Sequence, residues 1–232
     1  MASEAEFPDD AVRAAVAVEI VALTVRAGRL WALLADRAEP GRGRLALPGG
    51  FVRAGEDLGQ AARRELAQAA GAAEPGHLEQ LRTYGPLRRR QGCPVVSVAY
   101  LLLSPAAGGE AAGAAWVDAS QIGELALGHG RILADGLERA RGKLEYSALA
   151  LAFIPAEFTM AQLRGVYQAV WGIELDPRNF SRKVASSGIV EPAGRTPPGQ
   201  PGRPARLYRA AGGLDPASTA LNPPIMRPPP AA

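Results

Sequence analysis

The stretch Gly49–Gly71, GGFVRAGEDLGQAARRELAQAAG, governs how the rest of the chain is read. Gly49 and Gly50 follow Pro48, and paired glycines permit a turn that side chains would strain. Glu56 and Asp57 put negative charge where a helix begins, which the helix dipole favours. Leu58, Ala62, Leu66 and Ala69 recur at helical spacing and build one apolar-to-small face. Gly71 then supplies a left-handed stop. The stretch predicts a turn, a short loop and a helix.

The spacing of Gly50, Glu56, Arg64, Glu65, Leu66 and Gly71 resembles the Nudix box. In that family two further glutamates follow the Arg-Glu pair on the same helix. Carboxylates at offsets i, i+3 and i+4 share one face, and together they hold hard cations such as Mg²⁺ beside a pyrophosphate. Here Glu65 fills the first position, but Gln68 and Ala69 fill the next two. That leaves Glu65, with Glu56 nearby, as the residual metal candidates. The expectation is a Nudix fold that has lost, or nearly lost, hydrolase activity, with no catalytic residue and no required cofactor. The plainer role for Glu65 is to pair with a neighbouring arginine and brace the loop.

The chain of 232 residues is 47% hydrophobic and 21% charged, long enough for two compact domains or one large one. A single cysteine, Cys93, excludes an intramolecular disulfide framework and fits a reducing compartment. It reads as a packing residue, because neither His77 nor His129 has a visible Cys/His/acid context. The opening MASEAEFPDD is acidic and polar and is no secretion signal. No apolar run approaches membrane-spanning length, so the expected location is cytoplasmic, with no membrane partner. Residues 1–140 carry 15 Lys/Arg against 17 Asp/Glu, and residues 141–232 carry 11 against 6. Basicity confined to one end points to a polyanion-binding module beside a neutral one.

Before and after the box the chain is rich in strand signals. Ala14–Thr24 is a long apolar run suited to a buried strand, Arg26–Gly28 turns it, and Leu30–Leu34 returns as a hairpin. Further strands are predicted at Leu78–Tyr84, Val95–Leu103 and Ala115–Asp118, and a closing helix at Ile132–Ala140. LALPGGFV, LEQLRTYG and VVSVAYLLL resemble the ADP-ribose pyrophosphatase-like Nudix branch, which implies an ADP-ribose or related ligand over the box. In LRRRQGCP, Leu87–Pro94, the arginines 88–90 either hold ligand phosphates through charge-assisted bonds or form a solvated turn.

The second half reads as helical, then stranded. Leu144, Ala148 and Leu151 predict a helix ending near Pro155. Thr159 caps Met160–Trp171, Gly172 ends it, and Asp176 with Pro177 starts another helix, Pro177–Ser187. On that helix Phe180 and Val184 fall on one side, and Arg178, Asn179, Arg182, Lys183 and Ser186 on the other. The polar side has the make-up of a DNA recognition helix, or else of a solvated basic face. Ile189–Val190 and Arg206–Tyr208 read as two short strands around a Pro/Gly/Arg loop. Three helices and a hairpin describe a winged helix-turn-helix, with Arg195, Arg203 and Arg206 as wing contacts to DNA.

FTMAQLRGVYQAVWGIELDPRNFSRKVASSGIV, followed by GRPARLYR, closely resembles the C-terminal domain of the NrtR family of Nudix-related transcriptional regulators. With the Nudix-like half, the resemblance covers about residues 12–210. It implies an α+β chain: a Nudix α/β/α sandwich with a mixed sheet over residues 12–142, and a winged helix-turn-helix over 143–212. Residues 1–11 are expected as a tail and 213–232 as a Pro-rich disordered one. The family further implies a homodimeric repressor on a palindromic operator, controlling NAD metabolism genes and sensing ADP-ribose or a related nucleotide. Candidate effector contacts are Arg44, Gly49, Gly50, Arg64, Glu65, Arg88 and Arg89. The competing reading is a Mg²⁺-dependent Nudix hydrolase of ADP-ribose-like compounds.

Overall fold

Strand β1 (Ala15–Arg26) is the spine, with Ala17–Thr24 buried without a break. A run buried on both sides, apolar but for Glu19 and Thr24, belongs to a strand covered on both faces. The computed structural model of the chain describes residues 13–36, 45–71, 76–88, 93–105, 113–194 and 206–227. β1 turns through Ala27 and Gly28, both at positive φ, into antiparallel β2 (Arg29–Asp36). It pairs in parallel with β6 (Pro94–Leu103), from Ala15 opposite Val95 to Leu23 opposite Leu103. The sheet runs β3 (Leu45–Ala46), β2, β1, β6, β5 (His77–Arg88), with β4 (Gly49–Phe51) on β1 and β7 (Ala114–Asp118) on β2.

A helix covers each face. Val18, Ile20 and Ala22 of β1 pack with Ala61, Ala62, Leu66 and Ala70 of α1 (Leu58–Ala70). Val21 and Leu23 share a core with Ile132, Leu133, Ala140 and Leu144 of α2 (His129–Tyr146). α2 lies so close that a Cβ at Gly136 would come within 2.7 Å of Val21 Cγ1. The α/β/α sandwich with a mixed sheet is therefore present.

α2 runs on past residue 140 and contains the expected 142/143 domain boundary within it. The helix expected to continue to Pro155 stops instead at Ser147, whose backbone is extended (φ −138, ψ 166). The Ser147 hydroxyl donates to Lys143 O at 2.7 Å, a local bond that competes with the helix ladder. A 3₁₀ turn, Ala148–Phe153, follows.

Beyond it come β8 (Phe158–Thr159), α3 (Met160–Trp171), α4 (Pro177–Ser187), β9 (Val190–Pro192) and β10 (Leu207–Ala210). α3 carries a reciprocal capping box: Thr159 Oγ1 accepts from Gln162 N at 3.2 Å, and Gln162 Oε1 accepts from Thr159 N at 2.7 Å. The wing is three-stranded rather than two, in the order β8-β10-β9. Tyr167 anchors this half, edge-on to Trp171 at 4.9 Å and to Phe180 at 5.2 Å.

The expectation of a disordered tail does not hold for residues 213–227. Leu221 and Ile225 are buried in the core that also holds Leu144 and Phe180. Docking of two apolar side chains, each contributing about 1.5–3 kcal/mol when fully buried, offsets the Pro-rich composition. Among the described residues no helix is long and apolar enough to cross a membrane.

Candidate functional site

The box loop is built around one arginine. α1 begins at Asp57, whose Oδ1 accepts from Gln60 N at 2.7 Å, and it stops at Gly71 with φ 75. This framing places Arg64 and Glu65 under the turn. Arg64 Nε donates to Glu56 Oε1 at 2.7 Å, and its Nη2 donates to Glu56 Oε2 at 2.8 Å and to Phe51 O at 3.1 Å. Arg64 Nη1 donates to Glu65 Oε1. Glu56 also accepts from Arg53 N at 3.0 Å. Arg64 holds the Glu56 carboxyl down to about 2, and the two carboxylates raise the guanidinium further above its already high value.

Gly49 and Gly50 sit opposite Glu19 and Val18 of β1. A Cβ at Gly50 would overlap the Glu65 carboxylate, and one at Gly49 would overlap Glu19. At Gly49 the overlap also reaches the backbone carbonyl of Val18, so close approach requires glycine there. Glu65 therefore braces the loop through Arg64. Downstream, Gln68 is exposed and Ala69 half-buried. Among the described residues no group of three or more His, Cys, Asp or Glu is placed to hold a metal ion.

Gly49, Gly50, Arg64 and Glu65 are thus brought together. Arg44 and Arg89 lie outside the described residues, as does the side chain of Arg88, which ends β5 opposite Pro94. Phe51, which no sequence signal marked, is 52% exposed at the rim of this turn.

The residues that sequence reasoning missed lie beneath the turn. His129 opens α2 and is fully buried. Its Nδ1 accepts from Leu47 N at 3.1 Å, which places the ring proton on Nε2, and Nε2 lies 3.6 Å from Glu19 Oε1. This acid context is long-range, and no local pattern announces it. Cys93, expected to pack, is exposed.

The second site is α4. Asp176 Oδ1 caps it from Asn179 N at 2.8 Å, Pro177 begins it, and Gly188 ends it with φ 71. Phe180 and Val184 are buried and fix its rotation, leaving Arg178, Asn179, Arg182, Lys183 and Ser186 exposed together. Arg182 Nη2 donates to Asn179 Oδ1 at 3.2 Å, and the Ser186 hydroxyl donates to Lys183 O at 2.9 Å. Neither Arg178, Arg182 nor Lys183 forms an ion pair among the described residues. Arg206, exposed just before β10, lies 5.9 Å from the Tyr208 ring. Arg195 and Arg203 fall outside the described residues.

Residues 13–136 match the Nudix domain family and residues 150–210 the NrtR DNA-binding winged helix domain. The ADPR responsive transcriptional repressor NtrR of Acinetobacter baylyi is 31% identical over 84% of this chain and 81% of its own length. The chain belongs to the NrtR family.

Among solved structures, Shewanella oneidensis NrtR complexed with a 27mer DNA aligns with TM-score 0.75 and 26% identity, over 91% of this chain and 99% of that one. The NUDIX domain of the same NrtR complexed with ADP ribose aligns with TM-score 0.50 and 26% identity, over 58% and 94% respectively. The NrtR winged-helix match takes in β8 through β10, and it ends before the packed tail.

Proposed function

We propose that this chain is a DNA-binding transcriptional repressor whose Nudix domain senses ADP-ribose. The observation that carries the reading is α4: a capped helix pinned by Phe180 and Val184, offering an exposed basic face that no carboxylate neutralises among the described residues. Unpaired cations on one helix face suit phosphates and base edges. The NrtR relative seen with a 27mer DNA and the one seen with ADP ribose support the two ligands.

In this reading the protein acts as a homodimer, placing two α4 helices in successive major grooves of a palindromic operator. Arg178, Arg182 and Asn179 read bases, and Lys183 with the wing arginines 195, 203 and 206 holds phosphates. ADP-ribose sits over the Gly49–Gly50 turn, with Arg44, Arg88 and Arg89 as its phosphate contacts. The domain binds this effector without hydrolysing it, because Gln68 and Ala69 stand where the box needs carboxylates. The regulated genes belong to NAD metabolism.

Fluorescence anisotropy with DNA from upstream of the protein's own operon tests the reading. Specific binding that ADP-ribose shifts is the expected outcome. ADP-ribose consumed in the presence of Mg²⁺, with no specific DNA binding, would give the case to the hydrolase.

A further inference from the structure

The segment after β10 runs back across the junction between the two halves. Its backbone is joined to the end of α2: Leu221 N donates to Tyr146 O at 2.9 Å and Ile225 N to Glu145 O at 3.0 Å. Ala148 N donates to Thr219 O at 3.1 Å, and Ala220 bridges Ser147. Arg227 adds two ion pairs to the same helix, at 3.0 Å to Glu138 and 3.4 Å to Glu145. On its other side, Ile225 and Met226 close a hollow of about 210 Å³ with Trp171 of α3 and Asn179, Phe180 and Lys183 of α4. Leu221 and Ile225 are only 5% and 3% exposed.

This segment has no core of its own. Its order comes from being held on both sides at once. α3 is tied to α2 directly, since Arg141 Nε donates to Val170 O at 3.2 Å and Trp171 Nε1 to Arg141 O at 3.1 Å. α4 makes no hydrogen bond to α2 among the described residues. The segment therefore joins α3, whose Tyr167 packs on Phe180, as a second span between the two.

We propose that residues 214–227 form a strap that couples α2 to the recognition helix, so that a change in α2 reaches the DNA-binding face. The proposal rests on the sensor-repressor reading above. α2 begins at His129 beneath the effector turn and ends under the strap. α4 cannot tilt away from α2 without opening the hollow that Ile225 and Met226 line beside it, because Arg227 and the backbone bonds hold the segment to α2. The two helices therefore move as one body while the strap is seated. Loosening it leaves each ligand site intact and removes the communication between them, which is what a coupling free energy measures.

The test compares the full chain with Arg227→Glu, which sets like charges against Glu138 and Glu145, and with a chain ending at Gly213. ADP-ribose affinity is read by calorimetry, and operator affinity by anisotropy with and without saturating ADP-ribose. In Arg227→Glu, each separate affinity is expected to stay within about 3-fold, while the effector-induced change in operator affinity shrinks by about 5-fold or more. An undiminished change in Arg227→Glu overturns the strap. If the shortened chain does not fold, Arg227→Glu decides alone. A full chain whose operator affinity ignores ADP-ribose counts against the functional reading instead. Hydrogen exchange then judges the strap: Arg227→Glu should speed exchange in α4 as well as in 214–227, and speeding confined to 214–227 overturns it.

Discussion

Arg64 on α1 and Arg182 on α4 sit on helices of similar design, each capped by an aspartate and stopped by a left-handed glycine. Their guanidinium groups are used in opposite ways. Arg64 is mostly buried and spends its fork on Glu56, Glu65 and Phe51 O. Arg182 is exposed and, among the described residues, hydrogen-bonds only the neutral Asn179. The first has little left to offer a ligand, and the second is available to one. An arginine in a motif is thus read by what already surrounds it. In the box it fixes the shape of a loop, and on α4 it leaves its charge exposed.

The sharpest way to break this comparison is the double substitution Arg178→Ala, Arg182→Ala. Both side chains are exposed, so folding is unaffected, and specific affinity should fall by about 100-fold or more, each bidentate base contact being worth about 1–3 kcal/mol. The specificity for the operator over unrelated DNA should fall with it, and unchanged anisotropy titrations would refute the assignment of α4.

Arg64→Ala probes the opposite use. It strips the charge partner from Glu56 and Glu65, so the thermal midpoint should drop while operator binding without effector persists. The Glu56 carboxyl is depressed to about 2 in the folded chain from an ordinary 4.5. Its contribution to stability is therefore complete above the unfolded value and is lost as the pH falls through about 2. Urea unfolding between pH 7 and 2 should show that acid limb in the full chain, and a weaker one in Arg64→Ala.

His129→Ala sharpens the contrast within the Nudix half. Removing the acceptor leaves the buried Leu47 N–H without a partner, which costs about 1–3 kcal/mol. Denaturant midpoints should record that loss with the recognition helix untouched. The smallest effect expected is a gain. The Tyr167 hydroxyl is fully buried with no hydrogen-bond partner among the described residues, so Tyr167→Phe should stabilise the winged half by about 1 kcal/mol. A loss on calorimetric unfolding would mean the hydroxyl has a partner.

Local signals were read well because their causes are local. Asp57, Thr159 and Asp176 cap helices within three residues of themselves, and Gly71, Gly172 and Gly188 stop them at positive φ. The continuous apolar runs of β1 and β6 announced strands buried on both faces. What the sequence left illegible depends on distant partners. Glu19 and His129 meet across more than a hundred residues, and Thr159 pairs with Leu207 to make the third wing strand. The Pro-rich tail is ordered by Leu221 and Ile225 finding a surface shared by the two halves. At the site, the box spacing brings Gly49, Gly50, Arg64 and Glu65 close together. Only the structure shows that Arg64 is already committed to Glu56 and Glu65.

The most direct test is the operator affinity of the full chain measured by anisotropy across an ADP-ribose titration, with Mg²⁺ present and the nucleotide assayed afterwards. The account predicts a saturable shift in operator affinity with the ADP-ribose recovered intact. An affinity indifferent to ADP-ribose, or a nucleotide consumed during the titration, would contradict it.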